Sequence, residues 1–167
     1  MTRARATLAG ALLLLLATLA TAPTGTAETP GHGGPHPVLA RSAGLGDFEE
    51  RTLDEINEVR VQHGLDPIRR VIPCLDELSE TWGHRIAAEG LWEHRDMSRV
   101  VRACRLSWTG EALARGTFTP RSLVAMWMAS PPHRAILLTP RARLAGIDVR
   151  RGPGGQLAAV LNLGDRG

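Results

Sequence analysis

The sequence predicts an α+β domain, because helical patterns come first and strands mostly follow. The last two strands also form an antiparallel hairpin, which disfavours a doubly wound parallel sheet. The chain has 167 residues, of which 43% are hydrophobic and 22% charged, as in an ordinary globular protein. One folded domain is therefore expected.

The first 27 residues have the pattern of a secretory signal peptide. Arg3 and Arg5 precede an apolar run from Leu8 to Ala20, and small residues lead up to Ala27. This run is shorter than the about 20 apolar residues that a membrane span needs. We expect cleavage after Ala27, secretion, and no membrane span in the mature chain.

The mature chain is expected to be nearly neutral. The twenty basic residues are all arginine, and removing two of them with the signal peptide lowers the net charge from +3 to +1. This balance gives no indication of a nucleic-acid partner. Residues 28–46 are rich in Gly and Pro and are predicted to be a flexible linker, because they have few large apolar side chains to bury. The folded domain is placed at residues 47–165.

Apolar residues at helical spacing predict three helices. The first runs from Asp47 and closes at Gly64, and the second runs from Leu75 to Glu89 with Gly90 past its end. The third is capped by Thr119 and stops before the Pro131-Pro132 pair.

Two polar residues in the first helix are expected to fix nearby loops. A side-chain amide and a planar guanidinium can each hydrogen-bond several backbone groups, so we assign this role to Asn57 and Arg60.

Three strands are predicted in the second half of the chain. They cover Trp108 to Ala114, Arg143 to Arg150 and Gln156 to Leu163. The Gly-Pro-Gly-Gly segment at 152–155 joins the last two as a hairpin.

The two cysteines, Cys74 and Cys104, are predicted to form a disulfide. An exported chain meets an oxidising compartment, and an even count of two leaves no odd thiol. The alternatives are two separate buried thiols or, with less support because the C-x-x-C spacing is absent, a metal site.

Three polar residues are candidates for a functional site: His94, Glu111 and His133. Two neutral imidazoles and a carboxylate can hold zinc or another divalent cation and leave a fourth position to water. The structural alternative is that His133 stabilises the loop after Pro132 and that Glu111 accepts backbone N–H bonds. Motifs of serine hydrolases with a nucleophile elbow, HExxH metalloproteases, Walker ATPases and dinucleotide-binding enzymes do not occur in the sequence.

The order and spacing of several motifs carry a resemblance to a known family. These motifs are Leu53-Asp-Glu-Ile-Asn-Glu-Val-Arg60, His63-Gly-Leu-Asp-Pro-Ile68, Gly110-Glu-Ala112, Trp127-Met-Ala-Ser-Pro-Pro-His-Arg-Ala-Ile-Leu137 and Ala145-Gly-Ile-Asp-Val149. Over about residues 48–164 the chain resembles the CAP superfamily of cysteine-rich secretory, antigen 5 and pathogenesis-related 1 proteins, and in particular its small secreted bacterial members.

The resemblance implies a three-layer α–β–α sandwich with a small, largely antiparallel sheet and a cleft. It also implies that His94, Glu111 and His133 converge in that cleft. The chain departs from the family pattern at Ala112, where Asn is common, and at Pro132, where bacterial members commonly have Gly. It also has no acid in the segment 128–130, where many eukaryotic members place a second Glu. At most a three-ligand metal site with water is therefore expected.

The expected function is that of a secreted, monomeric binding module. Its cleft would hold a divalent cation, and its partner outside the cell would be a lipid, a glycan or a protein. One alternative is a metal-assisted hydrolase in which Glu111 is the general base and not a ligand. Another alternative is a structural extracellular domain whose cleft has lost its function.

Overall fold

The structure, a computed structural model, describes residues 43–167. The predicted signal peptide and most of the predicted linker lie outside the described residues. The first helix begins at Ala43, four residues before the predicted start at Asp47, so residues 43–46 at the end of the predicted linker are helical.

Five helices and four strands make up the described part of the chain. The helices are α1 (Ala43–Gln62), α2 (Pro73–Glu89), α3 (Met97–Cys104), α4 (Pro120–Ala129) and α5 (Pro131–Leu137). The strands are β1 (Arg70–Val71), β2 (Trp108–Gly116), β3 (Leu144–Arg151) and β4 (Leu157–Asp165). Within residues 43–167 no helix has the length and apolar content required to cross a membrane.

Local chemistry sets the ends of two predicted helices. α2 is followed by Gly90 at φ +71°, a left-handed conformation that glycine adopts without steric cost. α4 begins after Thr119, whose hydroxyl accepts the Ser122 N–H while the Ser122 hydroxyl receives the Thr119 N–H. Both predicted ends are confirmed.

The strands form one sheet in the order β1-β3-β4-β2. β3 and β4 are antiparallel, as are β2 and β4, whereas the two-residue β1 pairs parallel with β3. The hairpin and the largely antiparallel sheet predicted from the sequence are therefore confirmed.

Helices cover both faces of the sheet. On one face Ile56 of α1 and Leu123 and Trp127 of α4 pack with even-numbered residues of β2 and odd-numbered residues of β3 and β4. On the other face Trp82 and Ile86 of α2 pack with the opposite side of β2 and β4. α3 joins α2 through a smaller cluster on this second face. This is the α–β–α sandwich that the resemblance implied.

Two carboxylates cover the part of β3 that lies beyond β1. β1 pairs only with Leu144 and Ala145. Further along, the N–H of Ile147 donates to Asp76 of α2 at 3.3 Å and the N–H of Val149 donates to Glu49 of α1 at 2.9 Å. The side chains thus replace a neighbouring strand, which protects this edge from pairing with another chain.

Three short elements were not predicted from the sequence. α3 and α5 have eight and seven residues, and β1 has two, so each is too short to show a periodic pattern. In α5 the Pro131-Pro132 pair that stops α4 also begins a new helix, since proline is well suited to the first helical turn.

The predicted disulfide is present and joins the start of α2 to the end of α3. Cys74 and Cys104 are 5.6 Å apart between their Cα atoms, and no free cysteine occurs in the described part of the chain.

Removing this disulfide is expected to destabilise the domain. The Cys74→Ala/Cys104→Ala variant should lose roughly 3 kcal/mol of unfolding free energy, because the unfolded chain regains the freedom of the closed loop. Urea unfolding with and without a reductant provides the measurement. A reductant should destabilise the wild type by the same amount and leave the variant unchanged, and equal stability of oxidised wild type and variant would contradict the prediction.

Candidate functional site

The candidate site lies at the edge of the sheet formed by β2. Glu111 is in the middle of β2 with its side chain on the α2 face, and that side chain is only 1% exposed. The neighbouring Gly110 allows α5 to approach, since a Cβ atom there would lie 2.9 Å from Ile136. Gly110 therefore lets α5, which carries His133, pack against β2 on the face opposite to the Glu111 side chain.

The carboxylate of Glu111 is fully engaged by the segment that follows α2. Oε1 accepts the backbone N–H of Arg95 at 3.1 Å and lies 3.0 Å from Nδ1 of His94. Oε2 accepts Nε of Arg95 at 2.9 Å. A buried carboxylate needs such partners, because burying it alone would cost several kcal/mol.

The contact with Glu111 sets the tautomer of His94. A carboxylate oxygen is an acceptor, so Nδ1 carries the proton and Nε2 of the neutral ring keeps its lone pair. A histidine held by a carboxylate in this way is the usual arrangement of metal-binding histidines. The His94 side chain is 55% exposed, so Nε2 is within reach of solutes.

Two further hydrogen bonds fix the segment that carries His94. The Trp82 indole N–H donates to the carbonyl of Glu93 at 3.1 Å. Nη1 of Arg95 donates to the carbonyl of Leu78 at 2.8 Å. These two hydrogen bonds join the segment to α2. The packing of α2 in the core therefore sets the position of His94.

His133 lies near the start of α5, opposite His94. The two ring centroids are 6.3 Å apart and the rings are inclined at 61°. Burial, followed by the nearby His94, lowers the pKa of His133 below its usual value. His133 is therefore neutral at pH 7, which is the form that binds metal ions.

These residues fit a two-histidine site better than a three-ligand site. Within residues 43–167 no group of three or more His, Cys, Asp or Glu side chains is arranged to hold a metal ion. Two imidazoles on one tetrahedral zinc ion have ring centroids about 5 Å apart, so the rings would have to approach by about 1 Å. The exposed His94 has room for that movement, whereas Glu111 would have to lose Arg95 to become a ligand.

Sequence reasoning missed Arg95, which holds Glu111 and so positions His94 indirectly. Its only sequence signal was its place next to His94. Trp92, which comes shortly before His94 in the chain, is 49% exposed, and His84 is an exposed residue of α2.

Comparisons with known proteins agree with this fold. The family model for the cysteine-rich secretory protein family, CAP, matches residues 53–163. A search of curated proteins finds no significant match.

Three solved structures are similar to the chain. An outer surface protein from Borrelia burgdorferi has a TM-score of 0.62 and 20% identity, covering 71% of this chain and 92% of that protein. A cysteine-rich secretory protein from Staphylococcus aureus has a TM-score of 0.61 and 18% identity, covering 79% of this chain and 42% of that protein. An extracellular SCP-domain protein from Bacillus anthracis has a TM-score of 0.64 and 14% identity, covering 80% of this chain and 45% of that protein. The chain thus spans less than half of the last two proteins, and at these identities the likeness shows the fold alone.

Proposed function

The chain belongs to the cysteine-rich secretory protein family, CAP, and on this premise we propose that it is a secreted binding module whose His94 and His133 hold zinc or a similar divalent cation. The cation would take part in binding a lipid, glycan or protein outside the cell. Two of the similar structures are described as an outer surface protein and an extracellular protein, which supports a role outside the cell.

The observation that carries the proposal is the hydrogen bond from His94 to the buried Glu111. It orients one imidazole with Nε2 outward, and the neutral His133 stands opposite. Glu111 therefore acts as a positioning residue and not as a third ligand. Such carboxylate partners typically contribute 10- to 100-fold to metal affinity.

The same contacts favour binding over hydrolysis. A general base needs a carboxylate oxygen that can reach a water molecule. Both oxygens of Glu111 accept hydrogen bonds from Arg95, and the side chain is 1% exposed. When bound, the cation would supply Lewis acidity to a ligand oxygen, and the chain's own residues would only hold and orient it.

Zinc titration by calorimetry tests the proposal. All proteins should carry His32→Ala and His36→Ala, because these two histidines of the predicted linker could bind zinc themselves. We expect one zinc per chain in this background and loss of binding in the His94→Ala/His133→Ala variant. Glu111→Gln should retain the site but weaken it by about 10- to 100-fold.

His84→Ala is the matched control, since His84 is an exposed histidine on α2 that lies beside Asp148 and Arg150, in a different pocket from His94. It should bind zinc like the background protein. Zinc binding that survives removal of His94 and His133, or no zinc binding at all, would show that these histidines do not hold a cation. Either result would favour the alternative of a structural domain whose cleft binds no metal.

A further inference from the structure

All four strands have one terminus at the same end of the sheet. Leu144, the first residue of β3, pairs with Arg70 of β1 and with Gly164 of β4. Trp108, the first residue of β2, pairs with Asp165 at the end of β4. β1, β2 and β3 therefore begin where β4 ends. Neighbouring strands are about 4.8 Å apart, so these four strand ends span about 14 Å.

Exposed arginines follow this end of the sheet. They lie at the first residue of β1, or within three residues before β1, β2 or β3, and we call them the basic row: Arg69, Arg70, Arg105, Arg141 and Arg143. Nη2 of Arg141 donates to the carbonyl of Ser107 at 3.3 Å, and its guanidinium group lies 5.9 Å from the centre of the Trp108 ring. These contacts bring the segment before β3 to the start of β2, so the row is continuous across the sheet.

The basic row carries more positive charge than its surroundings neutralise. Asp66 lies 4.0 Å from Arg143, and Asp165 lies 3.9 Å from Arg141. The other three arginines of the row form no ion pair and no side-chain hydrogen bond with the described residues: Arg69, Arg70 and Arg105. Even with Glu77 of α2 counted as a third acid, five arginines face three acids.

The acids that balance the charge of the domain lie elsewhere. Asp76 of α2 accepts the N–H of Ile147, inside β3. Residues 47–58 of α1 include six acids and a single arginine. This part of α1 lies at the opposite end of the sheet, because Glu49 accepts the N–H of Val149 near the end of β3. An anionic partner is therefore attracted to the basic row and repelled from the other end of the domain.

The shape of the basic row suits a linear polymer that repeats a negative charge. A single carboxylate gains little from one exposed guanidinium group, whereas a chain of carboxylates can contact several of them at once. A bilayer surface fits less well, since Val71 is the only exposed large apolar side chain in the four strands and stable membrane binding needs more than charge. Nucleic-acid bases stack on exposed aromatic rings, but Trp108 is half-buried beside Arg141.

We propose that the basic row binds a linear polysaccharide of uronic acids. The carboxylates of successive sugars pair with the arginines that have no acidic partner, Arg69, Arg70 and Arg105. The planar fork of arginine matches the two oxygens of a carboxylate. The inference rests on the proposed function only in placing the protein outside the cell with a glycan partner, and it needs no metal at His94 and His133.

Calorimetric titration at low salt with a galacturonate chain of ten sugars tests the class of ligand. We expect binding that weakens as NaCl is added, and no measurable binding of free galacturonate or of maltodecaose, a neutral chain of the same length. The His94→Ala/His133→Ala protein should bind the galacturonate chain equally, so a failure of the metal site leaves this result unchanged. No binding of the galacturonate chain, or equal binding of the neutral chain, would overturn the proposal. Tighter binding of phosphatidylglycerol vesicles or single-stranded DNA at the same concentration of charge would also overturn it.

Two triple variants test the position of the site. Arg69→Gln/Arg70→Gln/Arg105→Gln should weaken binding of the galacturonate chain by about tenfold or more. Arg51→Gln/Arg121→Gln/Arg151→Gln is the matched control, because it removes the same charge from exposed arginines outside the basic row and should bind like the wild type. Thermal melting verifies that both variants are folded. An equal loss of affinity in both would mean that net charge alone attracts the chain, and this result or unchanged binding in the first variant would overturn the proposal.

Discussion

Replacing Arg60 with Met is expected to lower the free energy of unfolding by about 3–5 kcal/mol, because each buried carbonyl that loses its donor costs about 1–3 kcal/mol. Arg60 is fully buried, and its guanidinium group donates four hydrogen bonds to backbone carbonyls. The acceptors are Asp66 at 2.9 Å, Leu137 at 2.6 Å, Thr139 at 3.0 Å and Ala142 at 3.1 Å. Met has a similar length but no donor, so these carbonyls would lose their partner.

Urea unfolding at pH 7 measures this effect. Arg121→Met is the matched control, because Arg121 is 80% exposed and its ion pair with Glu55 spans 3.5 Å. The control should change the unfolding free energy by less than about 0.5 kcal/mol. An Arg60→Met protein within 1 kcal/mol of the wild type would show that water replaces the guanidinium group at these carbonyls.

The role of Arg60 could be predicted from the sequence, but its partners could not. The expectation for Asn57 and Arg60 followed from the ability of an amide and a planar guanidinium group to hydrogen-bond several backbone groups. Asn57 pairs with both backbone groups of Ile68, as expected for a side chain that fixes a loop. Three acceptors of Arg60 lie 77 to 82 residues away, and their approach depends on how α5 packs.

The predicted parts of the fold are those with a strong local signal. α1, α2 and α4 are long enough for a periodic apolar stripe, and the hairpin of β3 and β4 contains a glycine-rich turn. α3, α5 and β1 are stabilised by tertiary contacts instead. Cys104, for example, holds the end of α3 against α2 through the disulfide.

In the candidate site too, residues with a signal in the sequence were predicted, and a residue whose role depends on tertiary packing was missed. His94, Glu111 and His133 stand out by residue type and by resemblance, and two of them are in hydrogen-bond contact. Arg95 carries no such signal, because its ion pair with Glu111 depends on the packing of the segment after α2 against β2. The sequence therefore predicted which residues converge, but not that Glu111 would already be neutralised by an arginine.

Replacing the buried carboxyl group of Asp148 is the second change for which we expect a large effect on the free energy of unfolding. Its side chain is 3% exposed in β3 and faces Gly83 of α2, where a Cβ atom would collide with the carboxylate. Burial raises the pKa of Asp148 to about 7, and the negative charges of Glu49 and Glu80 add to this effect. The Arg150 side chain, 2.9 Å away, opposes the shift only in part.

Asp148→Asn is therefore expected to stabilise the domain above pH 7. With a folded pKa of about 7 and an ordinary value of 3.8, the folded state binds more protons than the unfolded state between these pH values. Stability contributed by this group is present below pH 4 and is lost as the pH rises to 7, up to a limit on the order of 4 kcal/mol. Asn keeps an acceptor for Arg150 but has no charge to bury, so the variant should not show this loss.

Urea unfolding from pH 4.5 to 8 distinguishes this effect from a general change in packing. The difference between Asp148→Asn and the wild type should grow as the pH rises, because only the wild type must ionise a buried carboxyl group. Asp54→Asn, which removes an exposed carboxylate from α1, should give a small difference that does not grow. A constant difference across the pH range would mean that Arg150 stabilises the ionised carboxylate fully, and Asp148 would then be an ordinary buried ion-pair residue.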